Sequence, residues 1–433
     1  MKLSQIITTF FLSLTCLTTY AQKGTWSGKI IIQGMELPLV FNFNDNNCTL
    51  DSPSQGVNNI PAEKSVDEDG TIKVFIKMIG ATFEGKNVGE CIEGTFTQNG
   101  FHFPLTLHAG KPTINRPQTP TPPFPYSEEE VSFTNSGYTF HGTLSLPKEY
   151  NQKTPIVLMI TGSGQQNRDE EMLSHKPFAV IADALARNGI ASLRYDDRGW
   201  NDKSINFANF TTNDFKQDAE AGLEFLRKRF SNVGILGHSE GGSIALLLAE
   251  EGKADFIVSL AGMVVSGKST LIEQNKEALT AIGLPNDVIS SYLKTLDTVL
   301  DDLASGKKIS EIKRDNIPAI LRPMFEKSLQ QGDSKYIREF ININPSRTLS
   351  QITCPVLALN GTKDKQVNYA TNLLSALEKG LTNCPHTIKT MEGLNHLFQH
   401  CQTGNVIEYQ QIEETISPEV LTLITEWINE LKL

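Results

Sequence analysis

The sequence lacks an excess of basic residues. Its 433 residues include 39 lysines and arginines against 49 aspartates and glutamates, which gives a formal net charge of -10 at pH 7. Binding to nucleic acid depends on clustered lysines and arginines that displace the counterions of a polyanion, and the chain has no such basic stripe. We therefore expect no nucleic-acid partner.

Long apolar runs are also missing. The mostly apolar stretch at residues 6–17 is about a dozen residues long, whereas a membrane-spanning helix needs roughly 20. It follows Lys2 and precedes Thr19-Tyr20-Ala21, which is the charged, apolar and small-residue order of a secretory signal. We expect residues 1–21 to be a signal peptide, the protein to be exported to the periplasm or the cell exterior, and no stable membrane span.

Cysteine is scarce, and no CxxC spacing indicates a metal or redox pair. Lipid attachment at Cys16 is a weak alternative to the secretory signal, because Thr15 and Ser13 make a poor processing site. Five cysteines follow residue 21, and an odd number leaves at least one thiol unpaired in an exported chain. The candidate bridges, with buried free thiols as the alternative, are Cys48 with Cys91 and Cys384 with Cys401.

Residues 22–110 are predicted to form a small all-β domain, either a barrel or a sandwich. Apolar residues alternate through Leu37, Leu39, Phe41 and Phe43, and Asn99-Gly100 is a strong hairpin signal. The domain has no arrangement of acids, histidines or nucleophiles that indicates a site. Residues 111–127 follow it with six prolines in "KPTINRPQTPTPPFPY", which predicts an extended, semi-rigid linker.

Residues 128–433 alternate short apolar runs with amphipathic helical patterns, which predicts an α/β fold with a doubly wound, mostly parallel sheet. The strands are predicted at residues 155–161, 191–196, 233–239, 256–261, 355–360 and 386–391. Residues of about 263–350 contain helical patterns and no convincing strand. An insertion at that point lies over the strand ends, where ligands bind in such sheets, so it is predicted to be a helical cap.

The segment Gly237-His238-Ser239-Glu240-Gly241 lies between a buried strand pattern and an apolar helix. A nucleophile on a sharp strand-to-helix turn needs glycines two residues away on either side, because the turn crowds its neighbours. The helix that follows also directs its N-terminal N–H groups at the reacting centre. Ser239 is therefore predicted to be a nucleophile.

A serine hydroxyl needs a base to take its proton and a carboxylate to orient that base. Asp364 follows the strand and glycine turn in "CPVLALNGTKD", and His396 follows the last strand in "HTIKTMEGLNH", so both are expected at the same sheet edge as Ser239. His396 and His400 have the i,i+4 spacing of metal ligands, but no HExxH motif and no third ligand support that reading. We expect neither a metal nor a cofactor.

Two backbone N–H groups are predicted to bind the oxyanion: that of Glu240, the residue after the nucleophile, and that of Ser163 in the loop after residues 155–161. Glu240 is expected near two charged clusters, with Arg168 as its partner. The clusters are expected to orient loops through ion pairs, or alternatively to present a charge to the substrate. They comprise Arg168, Asp169 and Glu170, and Arg194, Asp196, Asp197 and Arg198.

Residues 128–433 resemble the α/β-hydrolase superfamily, and more narrowly the secreted bacterial esterases and serine-aminopeptidase-like hydrolases of that fold. The resemblance is carried by "TGSGQQNRDE", "RYDDRG", "GHSEGG", "LNGTKD" and "GLNHLFQ". It implies Ser239 as nucleophile, Asp364 as acid and His396 as base. Thr161 departs from the pattern, because many relatives have a histidine before the oxyanion glycine.

These features predict a serine hydrolase that cleaves a small-molecule acyl ester through an acyl-enzyme intermediate. An aminopeptidase of the same fold is the main alternative, and it needs charged groups to bind the free amine of a peptide. Acyl transfer to an alcohol is a further alternative, and a non-enzymatic binding protein is another. The oligomeric state stays open. The acids that an aminopeptidase might use are Asp196, Glu240, Asp301 and Asp302.

Overall fold

The computed structural model describes residues 23–432 except residues 33–34, 45–47, 54–56, 112–114, 203 and 315. The predicted signal peptide, residues 1–21, lies outside the described residues. The described residues form two compact units, one on either side of residues 112–114.

The first unit is a closed barrel of eight strands that follow one another in chain order. It closes where Trp26 of the first strand pairs with Ala109 of the last. The predicted turn at Asn99-Gly100 joins the last two strands, with φ angles of 52° and 80°. The strands are β1 (Gly24–Ile32), β2 (Met35–Phe43), β3 (Cys48–Ser52), β4 (Val57–Val66), β5 (Ile72–Ile76), β6 (Ala81–Val88), β7 (Cys91–Gln98) and β8 (Phe101–Ala109).

The barrel interior is filled by aromatic and aliphatic side chains. Phe41 and Phe43 of β2 are buried, and Phe41 packs against Phe83 of β6 with the ring centroids 5.3 Å apart. Ile30 is buried while its neighbour Ile31 is exposed, as the alternation of a strand with one face inside requires. The period-two pattern in the sequence therefore reflects a filled barrel.

The two candidate disulfides are not formed, because all five described cysteines are free thiols. Cys48 lies on β3, which pairs with β2 and β4, whereas Cys91 lies on β7, which pairs with β6 and β8. Cys384 packs with Cys354 against the same apolar core.

The second unit contains an eight-stranded sheet in the order β16-β15-β14-β13-β11-β12-β10-β9, and its central strands are parallel. The antiparallel edge pair, β9 and β10, had no counterpart in the strand predictions. Ser136 and Gly137 form the turn between these two strands, and both have positive φ. This Ser-Gly pair was the feature of the sequence that could have indicated the hairpin. The strands are β9 (Ser127–Asn135), β10 (Tyr138–Leu146), β11 (Ile156–Ile160), β12 (Ala191–Tyr195), β13 (Val233–His238), β14 (Ile257–Leu260), β15 (Val356–Gly361) and β16 (His386–Met391).

Helices cover both faces of this sheet, and two separate apolar clusters lie between helices and strands. The helices are α1 (Pro177–Arg187), α2 (Thr212–Arg227), α3 (Glu240–Glu250), α4 (Gly267–Ala281), α5 (Asn286–Ala304), α6 (Arg322–Gly332), α7 (Lys335–Phe340), α8 (Glu378–Gly380) and α9 (Pro418–Glu430). A π-helix, Ala370–Leu377, leads into α8. Short 3₁₀ turns lie at Lys77–Ile79, Phe207–Asn209, Ile309–Glu311, Pro345–Arg347, Leu349–Gln351 and Val406–Glu408.

The insertion between β14 and β15 is helical in the part that the structure describes, with α4 to α7 as its elements. It has an apolar core of its own, in which Tyr292 of α5 packs edge-on against Phe325 of α6 with centroids 5.7 Å apart. This insertion, residues 263–350, is called the cap below.

The proline-rich segment, predicted to be an extended, semi-rigid linker, is held to distant parts of the chain by side-chain hydrogen bonds. Arg116 donates hydrogen bonds to the backbone carbonyls of Leu173, Gln410 and Ile412, and the Gln118 side chain bonds to the chain at residues 415–416. Proline prevents helix formation here, but the side chains between the prolines attach the segment to the second unit. Among the described residues, no helix combines the length and hydrophobicity that crossing a membrane would require.

Candidate active site

Ser239 lies between the last residue of β13 and the first residue of α3. Its φ of 54° and ψ of -116° belong to a region that residues with a side chain rarely adopt. A Cβ atom added to Gly237 would lie 2.1 Å from the carbonyl oxygen of Gly241, and one added to Gly241 would lie 2.1 Å from that of Ile160. Only glycine fits at both positions, so the spacing of the motif follows from the close approach of the backbones.

His396 and Asp364 meet at the same edge of the sheet. His396 Nδ1 donates to Asp364 Oδ2 over 2.7 Å, and both side chains are buried. The other carboxylate oxygen accepts the backbone N–H groups of Gln366 and Val367, and Asn360 Nδ2 donates to Oδ2 over 2.8 Å. Because Nδ1 carries the proton, the lone pair of His396 is on Nε2.

Ser239 and His396 line one pocket with a volume of about 280 Å³. Ser163 lines the same pocket, and so do Tyr336 and Phe340 of the cap helix α7. The structure therefore brings together, around one cavity, the predicted nucleophile, the predicted base and a predicted oxyanion residue. Gly164, the neighbour of Ser163, does not belong to the lining.

The loop that carries Ser163 is fixed by two carboxylates. Gly162 N–H donates to Glu170 Oε1 over 2.7 Å, and the backbone N–H of Gln166 donates to Asp197 Oδ2 over the same distance. The hydroxyl of Thr161 also donates to Asp197. Thr161 therefore helps to anchor this loop.

Glu240 begins α3, so its backbone N–H has no acceptor within the helix and is available to an oxyanion. Its carboxyl group is buried and accepts from Thr212 and from Tyr336 of the cap, each over 2.6 Å. Burial raises the pKa of this carboxyl group.

The predicted pairing of Glu240 with Arg168 is wrong. Arg168 Nη2 lies 2.8 Å from Asp196 Oδ2, and the same guanidinium pairs with Glu130 on β9. Arg168 therefore crosses to the edge strands that the strand predictions missed, and Glu240 has hydroxyl partners instead. The other arginines of the charged clusters also pair with acids: Arg194 with Asp169 and Glu128, and Arg198 with Asp218.

His238 is a site residue whose contacts sequence reasoning did not identify. Its Nδ1 lies 2.9 Å from Glu170 Oε1, and its Nε2 lies 3.0 Å from the backbone carbonyl of His396. Both partners are acceptors, so the charged form of the ring, in which both nitrogens donate, satisfies the two contacts. Burial opposes this charge, but Glu170 and the two hydrogen bonds outweigh it, so the pKa of His238 is raised.

The two histidines considered as metal ligands have separate partners. His396 Nδ1 bonds to Asp364, whereas His400 Nδ1 lies 2.9 Å from Glu414 Oε1 on the exposed side of the turn. Each of the two histidines therefore has its own carboxylate partner at Nδ1.

Several known proteins resemble a large part of this chain. Esterase EstD of Thermotoga maritima is 26% identical over 308 residues, which cover 70% of this chain and 68% of that protein. Among solved structures, Est1E from Butyrivibrio proteoclasticus covers 70% of this chain and 98% of its own, with 17% identity and a TM-score of 0.41. The Pyrococcus furiosus esterase Pf2001 covers 74% of this chain and 98% of its own, with 14% identity and a TM-score of 0.41.

The family model described as serine aminopeptidase, S33, matches residues 174–400, which is more than half of the chain. The matched region runs from the loop before α1 through β16 to the turn after His396, and it includes Ser239 and Asp364. The chain is an enzyme with the α/β-hydrolase fold, and it belongs to the serine aminopeptidase S33 family of hydrolases.

Proposed function

We propose that this enzyme cleaves carboxylic esters through an acyl-enzyme intermediate, with Ser239 as nucleophile, His396 as base and Asp364 as the residue that orients the base. The hydrogen bond between His396 and Asp364 and the common pocket of Ser239 and His396 support these roles. The relative at 26% identity is itself an esterase.

In the first half of the reaction, Ser239 Oγ attacks the ester carbonyl carbon while its proton passes to His396 Nε2. The carbonyl oxygen becomes an oxyanion that accepts from the backbone N–H groups of Ser163 and Glu240. When the ester C–O bond breaks, His396 returns the proton to the departing alcohol. Water then attacks the acyl-enzyme with His396 as base, which releases the acid and restores the Ser239 hydroxyl.

One observation favours an ester over a peptide as the substrate: the acidic side chains considered for binding a peptide amine already have partners within the protein. Glu170 is the carboxylate in the described pocket lining, and it is already bonded to His238 and Gly162. An aminopeptidase needs a carboxylate available for the free amine of its substrate. The acids considered for that role are paired elsewhere: Asp196 with Arg168, Glu240 with Thr212 and Tyr336, Asp301 with Lys268 and Asp302 with Lys307.

Labelling and turnover together test this proposal. A fluorophosphonate probe should label the wild type and the control Ser243→Ala, whose serine lies on α3 but outside the pocket lining, and should not label Ser239→Ala. Turnover of p-nitrophenyl acyl esters should far exceed that of aminoacyl p-nitroanilides. If the probe does not label the wild type, Ser239 is not an active nucleophile. If the anilides are turned over faster than the esters, the proposed preference for esters is wrong. Adding an alcohol and analysing the products for a new ester tests acyl transfer.

A further inference from the structure

Two cysteines precede the last two strands of the sheet in the same way. The sequence reads Cys354-Pro355-Val356 at the start of β15 and Cys384-Pro385-His386 at the start of β16. A proline restricts the residue before it to an extended backbone, so both cysteines favour the conformation of a chain that enters a strand. The ester chemistry proposed above uses neither cysteine.

The register of the sheet places the two cysteines opposite each other. Val356 pairs with His386 in the parallel ladder of β15 and β16, and each cysteine lies two positions before its member of this pair. The backbone N–H of Val356 donates to the carbonyl of Pro385 over 3.0 Å, so the two chains are adjacent at this end of the ladder. Neighbouring strands lie about 4.8 Å apart, and a disulfide bond joins Cα atoms about 4.4–6.8 Å apart, so a register-matched pair is within range.

A further contact holds the two chains together beyond the cysteines. Asn383 Nδ2 donates to the backbone carbonyl of Ser350 over 2.7 Å, which connects the residue before Cys384 with the turn before Cys354. Both cysteines pack against the apolar core that contains Val356. The two thiols therefore lie on the same face of the sheet, between hydrogen bonds on either side.

The other described cysteines lie on other elements. Cys401, the partner considered for Cys384 from the sequence, follows β16, and its Sγ donates to the carbonyl of Gly393 over 3.5 Å. The remaining two belong to the barrel unit. Cys354 is therefore the cysteine that the strand register brings to Cys384.

We propose that Cys354 and Cys384 form a disulfide bond between the starts of β15 and β16 when the protein meets a disulfide oxidant such as oxidised glutathione. One cysteine sulfur, after loss of its proton, attacks the oxidant and releases one thiol. The second cysteine sulfur, also after loss of its proton, attacks the mixed disulfide and releases the other thiol. Two electrons and two protons thus pass from the cysteine pair to the oxidant. This modification goes beyond ester hydrolysis and does not depend on it.

Burial affects how fast the pair reacts. It raises the pKa of Cys354 to about 12, and it also raises the pKa of Cys384. The thiolate is the attacking form, so exchange in the folded protein should be slow near neutral pH and should accelerate as the pH rises.

The bond would connect the two ends of residues 354–384, which include β15, Asp364 and the π-helix Ala370–Leu377. Closing a loop of about 30 residues restricts the unfolded chain and therefore stabilises the fold. For a protein of this size, the expected rise in the melting temperature is about 5 °C.

Peptide mapping of the full-length protein tests the pairing. The protein is incubated with oxidised glutathione at about pH 8.5, free thiols are blocked, and the chain is digested with trypsin without reduction. Trypsin places the two cysteines on separate peptides, residues 348–363 and 380–389. These peptides should be recovered as one linked species that separates on reduction. Cys91→Ala, in the barrel, is the matched control and should retain this species, whereas Cys354→Ala should lose it.

Thermal unfolding is the second readout. The oxidised wild type should melt about 5 °C above the same protein with a reductant, and Cys354→Ala should melt at one temperature under both conditions. If Cys354→Ala does not fold, Cys384→Ala takes its place. Recovery of both peptides with blocked thiols after oxidation would overturn the proposal, and so would recovery of residues 380–389 linked to the peptide that contains Cys401.

Discussion

His238 and Glu170 form a buried pair in which Nδ1 and Oε1 lie 2.9 Å apart. The same Glu170 oxygen accepts the backbone N–H of Gly162, and the other nitrogen of His238 donates to the backbone carbonyl of His396. One carboxylate therefore connects the loop of Ser163, the proposed oxyanion residue, with the chain that carries the proposed base.

Replacing Glu170 with Gln should lower kcat about 10-fold to 100-fold and change KM little, because small displacements of aligned groups have costs of this order. The neighbouring Glu171 is exposed, so Glu171→Gln is the matched control and should retain wild-type kcat. Steady-state kinetics with a p-nitrophenyl ester measures both variants. Equal kcat values for the two variants would show that the pair has no role in positioning.

The same pair should also give a pH-dependent stability. The folded-state pKa of His238 lies above its ordinary value of 6.5, so its contribution is fully present below pH 6.5 and is lost as the pH rises through the folded-state pKa. The melting temperature of the wild type should exceed that of Glu170→Gln most at pH 6, and the difference should shrink toward pH 9. Thermal unfolding of both proteins at the two pH values checks the sign.

Local patterns were enough to predict the sheet strands from β11 onward, the helical cap and the residues around Ser239. An alternation of apolar and polar residues, a pair of glycines and an apolar run each depend only on residues that are close in sequence. Such patterns can be recognised without knowledge of the fold. The partners of Glu240 and His238 lie 28 to 158 positions away along the chain. Which of several acids and hydroxyls meets a given side chain depends on the packing of distant elements, and no local signal specifies it.

Asp364→Asn should reduce kcat about 10³-fold to 10⁴-fold, because an amide favours the wrong tautomer of the His396 ring. The Asn side chain can donate to Nδ1, and this places the proton on Nε2, where the lone pair is needed. KM should stay close to the wild-type value, since Asp364 is not in the lining of the pocket. Retention of more than a tenth of wild-type kcat would mean that another group orients His396.

Gly241→Ala should prevent the turn at Ser239 from forming or should lower the melting temperature strongly. The added Cβ would lie 2.1 Å from the carbonyl oxygen of Ile160, a backbone atom that cannot move aside. Gly332→Ala is the matched control, because a Cβ there meets nothing within 4 Å and its φ is not in the left-handed region. The control should melt at or slightly above the wild-type temperature, since alanine favours the helix.

Export stays a prediction, because residues 1–21 lie outside the described residues. N-terminal sequencing of the protein recovered outside the cytoplasm of a bacterial host should begin at Gln22. Ala21→Lys should block processing, since the cleavage site requires a small residue. Cys16→Ala should leave the new N-terminus unchanged, whereas failure of this variant to mature would instead support lipid attachment at Cys16.

His175 should make the fold sensitive to acid. It is fully buried, and its Nε2 lies 2.8 Å from the carbonyl of Tyr409 and its Nδ1 3.0 Å from the hydroxyl of Thr415, partners that a neutral ring satisfies. Burial lowers the pKa of His175 to about 4 from an ordinary value of 6.5. As the pH falls, His175 is therefore protonated in the unfolded chain at a higher pH than in the folded chain. The stability that is present above pH 6.5 is lost as the pH falls toward 4.

His175 alone should lower the free energy of unfolding by about 3 kcal/mol between pH 6.5 and 4, since each pH unit between its unfolded and folded pKa values corresponds to about 1.4 kcal/mol. His175→Gln cannot take up the proton, so it should be less stable than the wild type at pH 7.5 but should lose less stability on acidification. His386→Gln, at an exposed position, should follow the wild-type curve. Urea unfolding at pH 7.5, 5.5 and 4.5 measures all three, and parallel curves for the wild type and His175→Gln would assign the acid sensitivity to other groups.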